Sequence, residues 1–449
     1  MTGHVLGVYF LGHKEGTVMI RILQTLSICL LLAVLVSAAD SIAPSAEETK
    51  RVEEPAAPLK GPILLALNPS YSNQAPEPAG DAEDAPEEQT DGAPATEPPD
   101  AAAPQPKRTL SPAMVALRDR VRRTLEAYRR QMLSTRDNTA TELMHACLAF
   151  GCNTEVYQNG SSGKKANGIT TLCWNVSCAG YEPLVISDGR VAARIGYGVQ
   201  ERPSQLLAVL ALARVNSDYP MRVGEDVRNV ADLVEHEKLG CRSNADLSLT
   251  LTGLAYYVDD DATWTNSLGE EWSVERIVQQ ELAGELRNVV AGETDRVMGL
   301  GYLLSRRATR EQPIEGQFLR AKTFIDQYHD YVLKHQNSDG SWGIRRVSGG
   351  STTYDSAQQL HATGRVLEWL AVSLPEDRLE DAGVVRAVAY LDNLLANGRY
   401  RHDLNSYSTQ QIGSVMHALH ALAVYDERVF EPSDPEPAET PADRQAARP

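Results

Sequence analysis

Between Arg202 and Tyr425 the sequence alternates two kinds of helical segment. One kind is short, rich in small and apolar residues, and apolar on nearly every side: Leu247–Val258 (LSLTLTGLAYYV), Asp295–Ser305 (DRVMGLGYLLS), Ser356–Ala371 (SAQQLHATGRVLEWLA) and Ser408–Tyr425 (STQQIGSVMHALHALAVY). The other kind has one apolar face, as in Val384–Ala396 (VVRAVAYLDNLLA). A helix apolar all round has to be enclosed by other helices, whereas an amphipathic one covers a core and meets water. The alternation therefore predicts two layers of helical hairpins. The enclosed helices restart at intervals of roughly 40 to 60 residues, the signature of repeat architecture.

The expected helices are 204–215, 226–239, 246–258, 273–286, 295–306, 316–335, 355–372, 382–396 and 408–425. Two more precede them. Ser111-Pro112 is an N-cap followed by proline at the first helical position, and Val115, Leu117, Val121, Leu125, Tyr128 and Met132 recur after it at helical spacing. The arginines between them (Arg118, Arg120, Arg122, Arg123, Arg129 and Arg130) read as a solvated face. Thr139 and Glu142 form a capping box for a helix that Gly151 closes. Residues 152–200 change character: Asn159-Gly160, Asn167-Gly168 and Asp188-Gly189 are turn pairs. ITTLCWNV, and PLVIS with RVAARI, read as strands, the last two as a hairpin across Asp188-Gly189.

The segment Tyr331–Gly343 (YVLKHQNSDGSWG) orders an aromatic, an aliphatic, Gln336, Gly340 and Trp342 as a helix with a sharp exit. That order resembles the QW repeat of the squalene–hopene cyclase and protein prenyltransferase group. The resemblance implies an α/α toroid with Trp342 buried against an outer helix. The fold class expected is thus all-α, an α/α toroid with a small β-insertion at about 152–200. Class II cyclases carry a D-x-D-D acid motif. Tyr257-Val258-Asp259-Asp260-Asp261 places three acids in a row without the first Asp. Prenyltransferases use an Asp/Cys/His zinc set, which is not assignable here, and Gly151-Cys152-Asn153-Thr154-Glu155 departs from the thioester signature of complement-like toroids. The pattern also resembles secreted toroid-like proteins of planctomycete-type bacteria.

The chain divides by composition. Met19-Ile20-Arg21, an apolar run to Val36 and Ser37-Ala38-Ala39 read as a signal peptide over 1–39, with Met19 as the start. Residues 40–110, rich in Pro, Ala and acid, cannot bury enough apolar surface to offset chain entropy and read as a disordered linker; 431–449 reads likewise. The folded domain expected is 111–430. The net charge of −17, with no basic stripe, excludes nucleic acid. The location implied is secreted or periplasmic, with an uncleaved N-terminal anchor as the alternative. Cys147, Cys152, Cys173, Cys178 and Cys241 remain after the signal; the two C-x4-C pairs are bridges in an oxidising space or plain buried thiols.

Enclosed helices in a ring point their ends into a common cavity. His361 and His417 lie at matching depth in two successive enclosed helices, and with Asp295 they form the candidate catalytic set. Asp259, Asp260, Asp261, Trp264 and Asp355 are the candidate binding residues, clustered carboxylates beside an aromatic suiting a sugar or a cation; Asp246, Arg296 and Gln410 are further polar residues at helix starts. His417 and His420 share a helix face but lack a third ligand, so neither a metal nor a cofactor is assigned. The function expected is an extracytoplasmic binding or scaffold protein whose ligand is a polysaccharide or lipid; the alternative is a carbohydrate- or isoprenoid-directed enzyme of lyase or hydrolase type. Amino-terminal sequencing of exported protein is expected to read from Ala39 or Asp40; an intact Met19 start in a cytoplasmic pool overturns the leader.

Overall fold

A computed structural model describes residues 110–430, except 285–288, 344–345, 349–350, 354–355 and 398–403. The signal, linker and tail readings (1–109 and 431–449) and the candidate Asp355 lie outside the described residues. The structure is mostly helical. Twelve α-helices run in order: α1 Pro112–Arg129, α2 Ala140–Phe150, α3 Gly168–Cys173, α4 Gln205–Leu212, α5 Val230–Gly240, α6 Ser248–Tyr257, α7 Val274–Ala283, α8 Asp295–Thr309, α9 Gly316–Lys334, α10 Ser356–Ser373, α11 Ala382–Asn397 and α12 Thr409–Tyr425. That count is of the described residues.

The capping chemistry sets these boundaries. The Ser111 hydroxyl accepts from the Met114 amide at 3.3 Å. Thr139 and Glu142 form a reciprocal box at the start of α2, as do Ser408 and Gln411 at the start of α12. The even-numbered helices are buried almost all round; α10 is buried from Leu360 to Val372 apart from His361. The odd-numbered helices bury one face, as in α9, where Phe318, Ala321, Ile325, His329 and Val332 point inward. Packing follows the same division. α4 packs on α6, α6 on α8, α8 on α10, α10 on α12, α12 on α2 and α2 on α4, so the order of neighbours returns to its start. Among the odd helices α7 packs on α9 and α11 on α1.

Strand is spread more widely than the expected insertion. Five two-stranded antiparallel sheets occur among the described residues. Two fall within 152–200: β1 Glu155–Tyr157 with β2 Lys165–Asn167, and β3 Leu184–Ser187 with β4 Arg190–Ala193. Three lie beyond it: β5 Pro220–Val223 with β6 Asp226–Asn229, β7 Thr263–Thr265 with β8 Glu271–Ser273, and β9 Arg346–Ser348 with β10 Ser351–Thr353. The expectation of a single β-insertion at about 152–200 is corrected accordingly. Each of β2, β6 and β8 ends on the N-cap of the helix that follows. The side chains of Asn167, Asn229 and Ser273 accept from the amides of Thr170, Asp232 and Arg276 at 3.0, 3.1 and 3.1 Å. These hairpins are thus the lead-ins of α3, α5 and α7, and they shorten the helix expected at 226–239 to a start at Val230.

The segment ITTLCWNV is a second correction. Its β-branched residues suit a strand, but the Asn167 cap, closing against the Thr170 amide, turns it into α3. The cysteines form no disulfide: all five are free, Cys147, Cys173, Cys178 and Cys241 buried and Cys152 exposed. Cys147 faces the core from α2 while Cys152 lies beyond its end, so the x4 spacing separates them. Burial pushes the Cys173, Cys178 and Cys241 thiols up to about 12. Two arginines of α1 do more than face water: Arg120 pairs with Asp392 of α11 at 3.1 Å and Arg122 with Asp426 at 2.8 Å.

The Gln336–Trp342 stretch ties three helices together. The Trp342 ring is fully buried and its Nε1 donates to the Val332 carbonyl of α9 at 2.7 Å. Its backbone amide donates to Thr363 of α10 at 2.9 Å. Gln336 Nε2 donates to the carbonyls of Gly340 (3.0 Å) and of Gly383 on α11 (2.8 Å). Gly340, at φ +93, approaches the Arg386 carbonyl so closely that a Cβ would sit 2.5 Å from it. Trp342→Ala is expected to cost about 3–5 kcal/mol, read as a large fall in melting temperature; an unchanged Tm would show that the ring is not a core residue.

Candidate functional site

The even-numbered helices surround a cavity of about 960 Å³ that opens at their N-terminal ends and reaches to the middle of α10 and α12. α2 contributes His145, α4 Gln205 and Ala208, α6 Ser248 and Thr252, α8 Asp295 and Met298, α10 His361 and Arg365, and α12 Gln410, Ser414 and His417. Glu201 and Arg202 enter from the loop before α4, and Gly292 and Glu293 from the loop before α8. The set His361, His417 and Asp295, chosen from sequence, thus comes together on one cavity, joined by Asp246, Arg296 and Gln410.

The other candidates are elsewhere. Asp259, Asp260 and Asp261 follow the C-terminal end of α6, whereas the cavity lies at the N-terminal ends. Asp260 is buried in an ion pair with Arg307 at 2.6 Å; Asp259 and Asp261 are exposed. Trp264 is buried on β7 with its Nε1 donating to the Lys238 carbonyl at 3.0 Å. Four of the five proposed binding residues therefore do not meet the cavity; the fifth, Asp355, is outside the described residues.

A chain of alternating charges runs through the cavity wall. Arg202 pairs with Asp246 at 2.7 Å and with Asp295. Asp295 in turn pairs with Arg365. Arg365 reaches Glu368 at 3.4 Å and the His417 ring at 3.1 Å. Glu368, buried on α10, receives His417 Nδ1 at 2.9 Å and His420 Nδ1 at 2.7 Å. His417 and His420 therefore converge on a carboxylate and not on a metal. Because Nδ1–H of His417 donates to Glu368, its Nε2 is the nitrogen that accepts from Arg365. Among the described residues no group of three His, Cys, Asp or Glu has the arrangement of a metal site.

The electrostatics follow from this wiring. Burial raises the Glu368 carboxyl, but His417, the bonds from both histidines and Arg365 outweigh it and hold it far below its ordinary range. Burial also opposes ionisation of Asp295, and Arg365 and Arg202 outweigh it, lowering it to about 2. The imidazoles go down. Burial, reinforced by Arg365 and His417, lowers His361 to about 4. Burial, reinforced by His417 and Arg365, lowers His145 to about 3. His417 is lowered by burial against the pull of Glu368. The cavity thus holds ionised carboxylates and arginines beside neutral imidazoles at neutral pH.

His361 has a defined tautomer. The Ser414 hydroxyl donates its one proton to the Gln410 carbonyl at 3.0 Å, so the 3.2 Å contact between His361 Nδ1 and Ser414 Oγ is donated by the imidazole. Nε2 is left as an acceptor, near Gly292. His145 stands edge-on to His417, ring centroids 5.3 Å apart, and its buried Nδ1 has no hydrogen-bond partner among the described residues.

Sequence reasoning passed over His145, Arg202, Arg365 and Glu368. The signal for two of them was present: His361, Arg365 and Glu368 stand at i, i+4 and i+7, one face of an otherwise apolar helix. No protein-family model, curated protein or solved structure matches this chain.

The pKa directions fix how stability depends on acid. A histidine whose folded value lies below its ordinary 6.5 takes up its proton more readily when unfolded, so stability is lost as pH falls below about 6.5. His145, His361 and His329, the last lowered to about 4 by burial, act together in this window. Asp295 stays ionised down to about 2 and Glu368 lower still, so their contribution survives until stronger acid. Melting temperature is expected to fall steadily from pH 6.5 to about 4, and His145→Asn to reduce that slope by about one proton. A melting temperature flat across this range would contradict buried neutral imidazoles.

Proposed function

We propose that this chain is an extracytoplasmic α/α toroid that binds a hydroxyl-rich ligand, of the carbohydrate class, in a central cavity. The return of the even-helix packing order to α2 supports a closed inner ring; the odd helices would form the outer one. The apolar run over Ile22–Val36 and the acidic, Pro-rich stretch after it support export and a tether. The observation that carries the ligand class is the lining itself. Among the described residues that face the cavity there is no Phe, Tyr or Trp; aliphatic side chains such as Leu148, Val209, Leu249 and Met298 are interspersed with carboxylates, arginines, imidazoles, amides and hydroxyls. An isoprenoid requires an apolar wall, and desolvating so many polar groups against a hydrocarbon is costly. A polyol exchanges its water hydrogen bonds for those of the wall.

A binding role is favoured over catalysis because the candidate acid and base groups Asp295, Glu368 and His417 are committed to one another and to arginine. Asp295 is engaged by two arginines and Glu368 by two histidines and Arg365. A second, enzymatic reading rests on one atom, Nε2 of the lining residue His361, an acceptor with no partner among the described residues. The test is a paired substitution. His361→Ala is expected to leave the melting temperature within a few degrees and to weaken binding of neutral or charged oligosaccharides by about tenfold, the loss of one hydrogen bond and its packing. His417→Ala leaves Glu368 and Arg365 short of a partner and is expected to destabilise by about 1–3 kcal/mol. If neither variant changes binding, or if the native protein binds no oligosaccharide, the cavity reading fails.

A further inference from the structure

We infer that the cavity selects a sugar carrying protonated amines over a neutral or uronic-acid sugar, a refinement that rests on the hydroxyl-rich ligand proposed above. Four features of the wall point the same way. Each of its three arginines is already matched to carboxylate: Arg202 to Asp246 and Asp295, Arg365 to Asp295 and Glu368, and Arg296 to Glu281 at 3.1 Å. An incoming carboxylate or sulfate would therefore have to displace an internal partner. Two lining carboxylates, Glu201 and Glu293, are exposed and have no ion pair among the described residues. They flank the Arg202–Asp295 pair in sequence, Glu201 immediately before Arg202 and Glu293 two residues before Asp295.

The third feature is His361, a lining residue whose Nε2 is left as an acceptor because Ser414 and Gln410 fix the proton on Nδ1. The fourth is that His145, on the same wall, carries no positive charge, because burial holds its imidazole below the ordinary range. Burial keeps both rings neutral, so neither adds positive charge to oppose a cation. The lining carries five carboxylates (Glu201, Asp246, Glu293, Asp295 and Glu368) against three arginines, which decides the sign of the field an entering group meets. Uncommitted acceptors therefore face the cavity with no uncommitted cation beside them. An ammonium, three donors with a full charge, satisfies that set; an amino sugar adds hydroxyls for the Gln410 and Asn244 amides.

The full chain, titrated calorimetrically with glucosamine tetramers, N-acetylglucosamine tetramers, cellotetraose and galacturonate tetramers at a pH that keeps the amines charged, tests this. Glucosamine tetramers are expected to bind about tenfold tighter than the acetylated or neutral tetramers, the worth of two exposed ion pairs, and to weaken with added salt. The double variant Glu201→Gln, Glu293→Gln should bring glucosamine tetramers down to the affinity of cellotetraose with its melting temperature unchanged. Glu225→Gln, in the fully exposed turn between β5 and β6, should change nothing. Equal affinity for amine-bearing and neutral tetramers, or tighter binding of galacturonate, overturns the amine inference and leaves the hydroxyl-rich reading standing. Binding of none of the four overturns that reading and the inference with it.

Discussion

Asp295 is the residue on which the cavity wall depends. It opens α8, where a carboxylate suits the helix dipole, and it joins Arg202 from the loop before α4 to Arg365 from the middle of α10. Three separate parts of the chain meet on one carboxylate. Arg365 is almost wholly buried, and removing Asp295 would leave that cation only the longer 3.4 Å contact with Glu368, a loss approaching the ~3–5 kcal/mol of a broken buried pair. Keeping the pair is not the most stable solution, because well-packed apolar residues of similar volume often do as well or better. An extended run of buried charge in the wall of a cavity is therefore weak evidence for stability and marks the cavity as a candidate site.

The same logic appears twice in simpler form. Ser204 donates to Glu237 of α5 at 2.7 Å, and Ser248 donates to Glu281 of α7 at 2.8 Å; serine and glutamate are 33 residues apart in both pairs. In each, an odd helix lends a carboxylate to the start of the preceding even helix, whose first amides and hydroxyls have no partner within the helix. The copies differ in what else the glutamate does. Among the described residues the Glu237 carboxylate receives only Ser204, which is also linked to Thr250, and burial raises its carboxyl. Glu281 also receives the Leu247 amide and Arg296. One copy is a helix cap alone, and the other has acquired a cation that faces the cavity.

The helices were legible because their apolar periodicity is strong, and ten of the twelve begin within about three residues of a capping or turn signal that the sequence displays. α3 was not legible: Ile169, Thr170 and Thr171 favour a strand by side-chain shape, and only the contact of Asn167 with the Thr170 amide reverses that preference. The hairpins before α5 and α7 were hidden for a related reason, since Asp226–Asn229 and Glu271–Ser273 carry little of the β-branched pattern and pair chiefly through backbone. At the site, depth within the helix was enough to bring out His361 and His417. The acid run Asp259–Asp261 misled because composition does not say which end of a helix faces the cavity. Asp260 belongs to Arg307, 47 residues on, a pairing no local pattern records.

What sequence could not convey was how closely α10 and α12 approach. Gly364 faces Ala418, and a Cβ on that glycine would lie 3.1 Å from the Ala418 Cα. At that separation the next turn of α10 sets Glu368 within 3 Å of both His417 and His420, and Arg365 beside His417. Two other glycines make room in the same way. A Cβ on Gly292 would sit 3.0 Å from His361 Cδ2, and one on Gly413 3.2 Å from His145 Cε1. The imidazoles therefore occupy space that small residues on neighbouring elements leave open. Packing of this kind holds each ring in one orientation, and that fixed orientation is what lets hydrogen-bond direction, rather than charge alone, decide which nitrogen of His361 carries the proton.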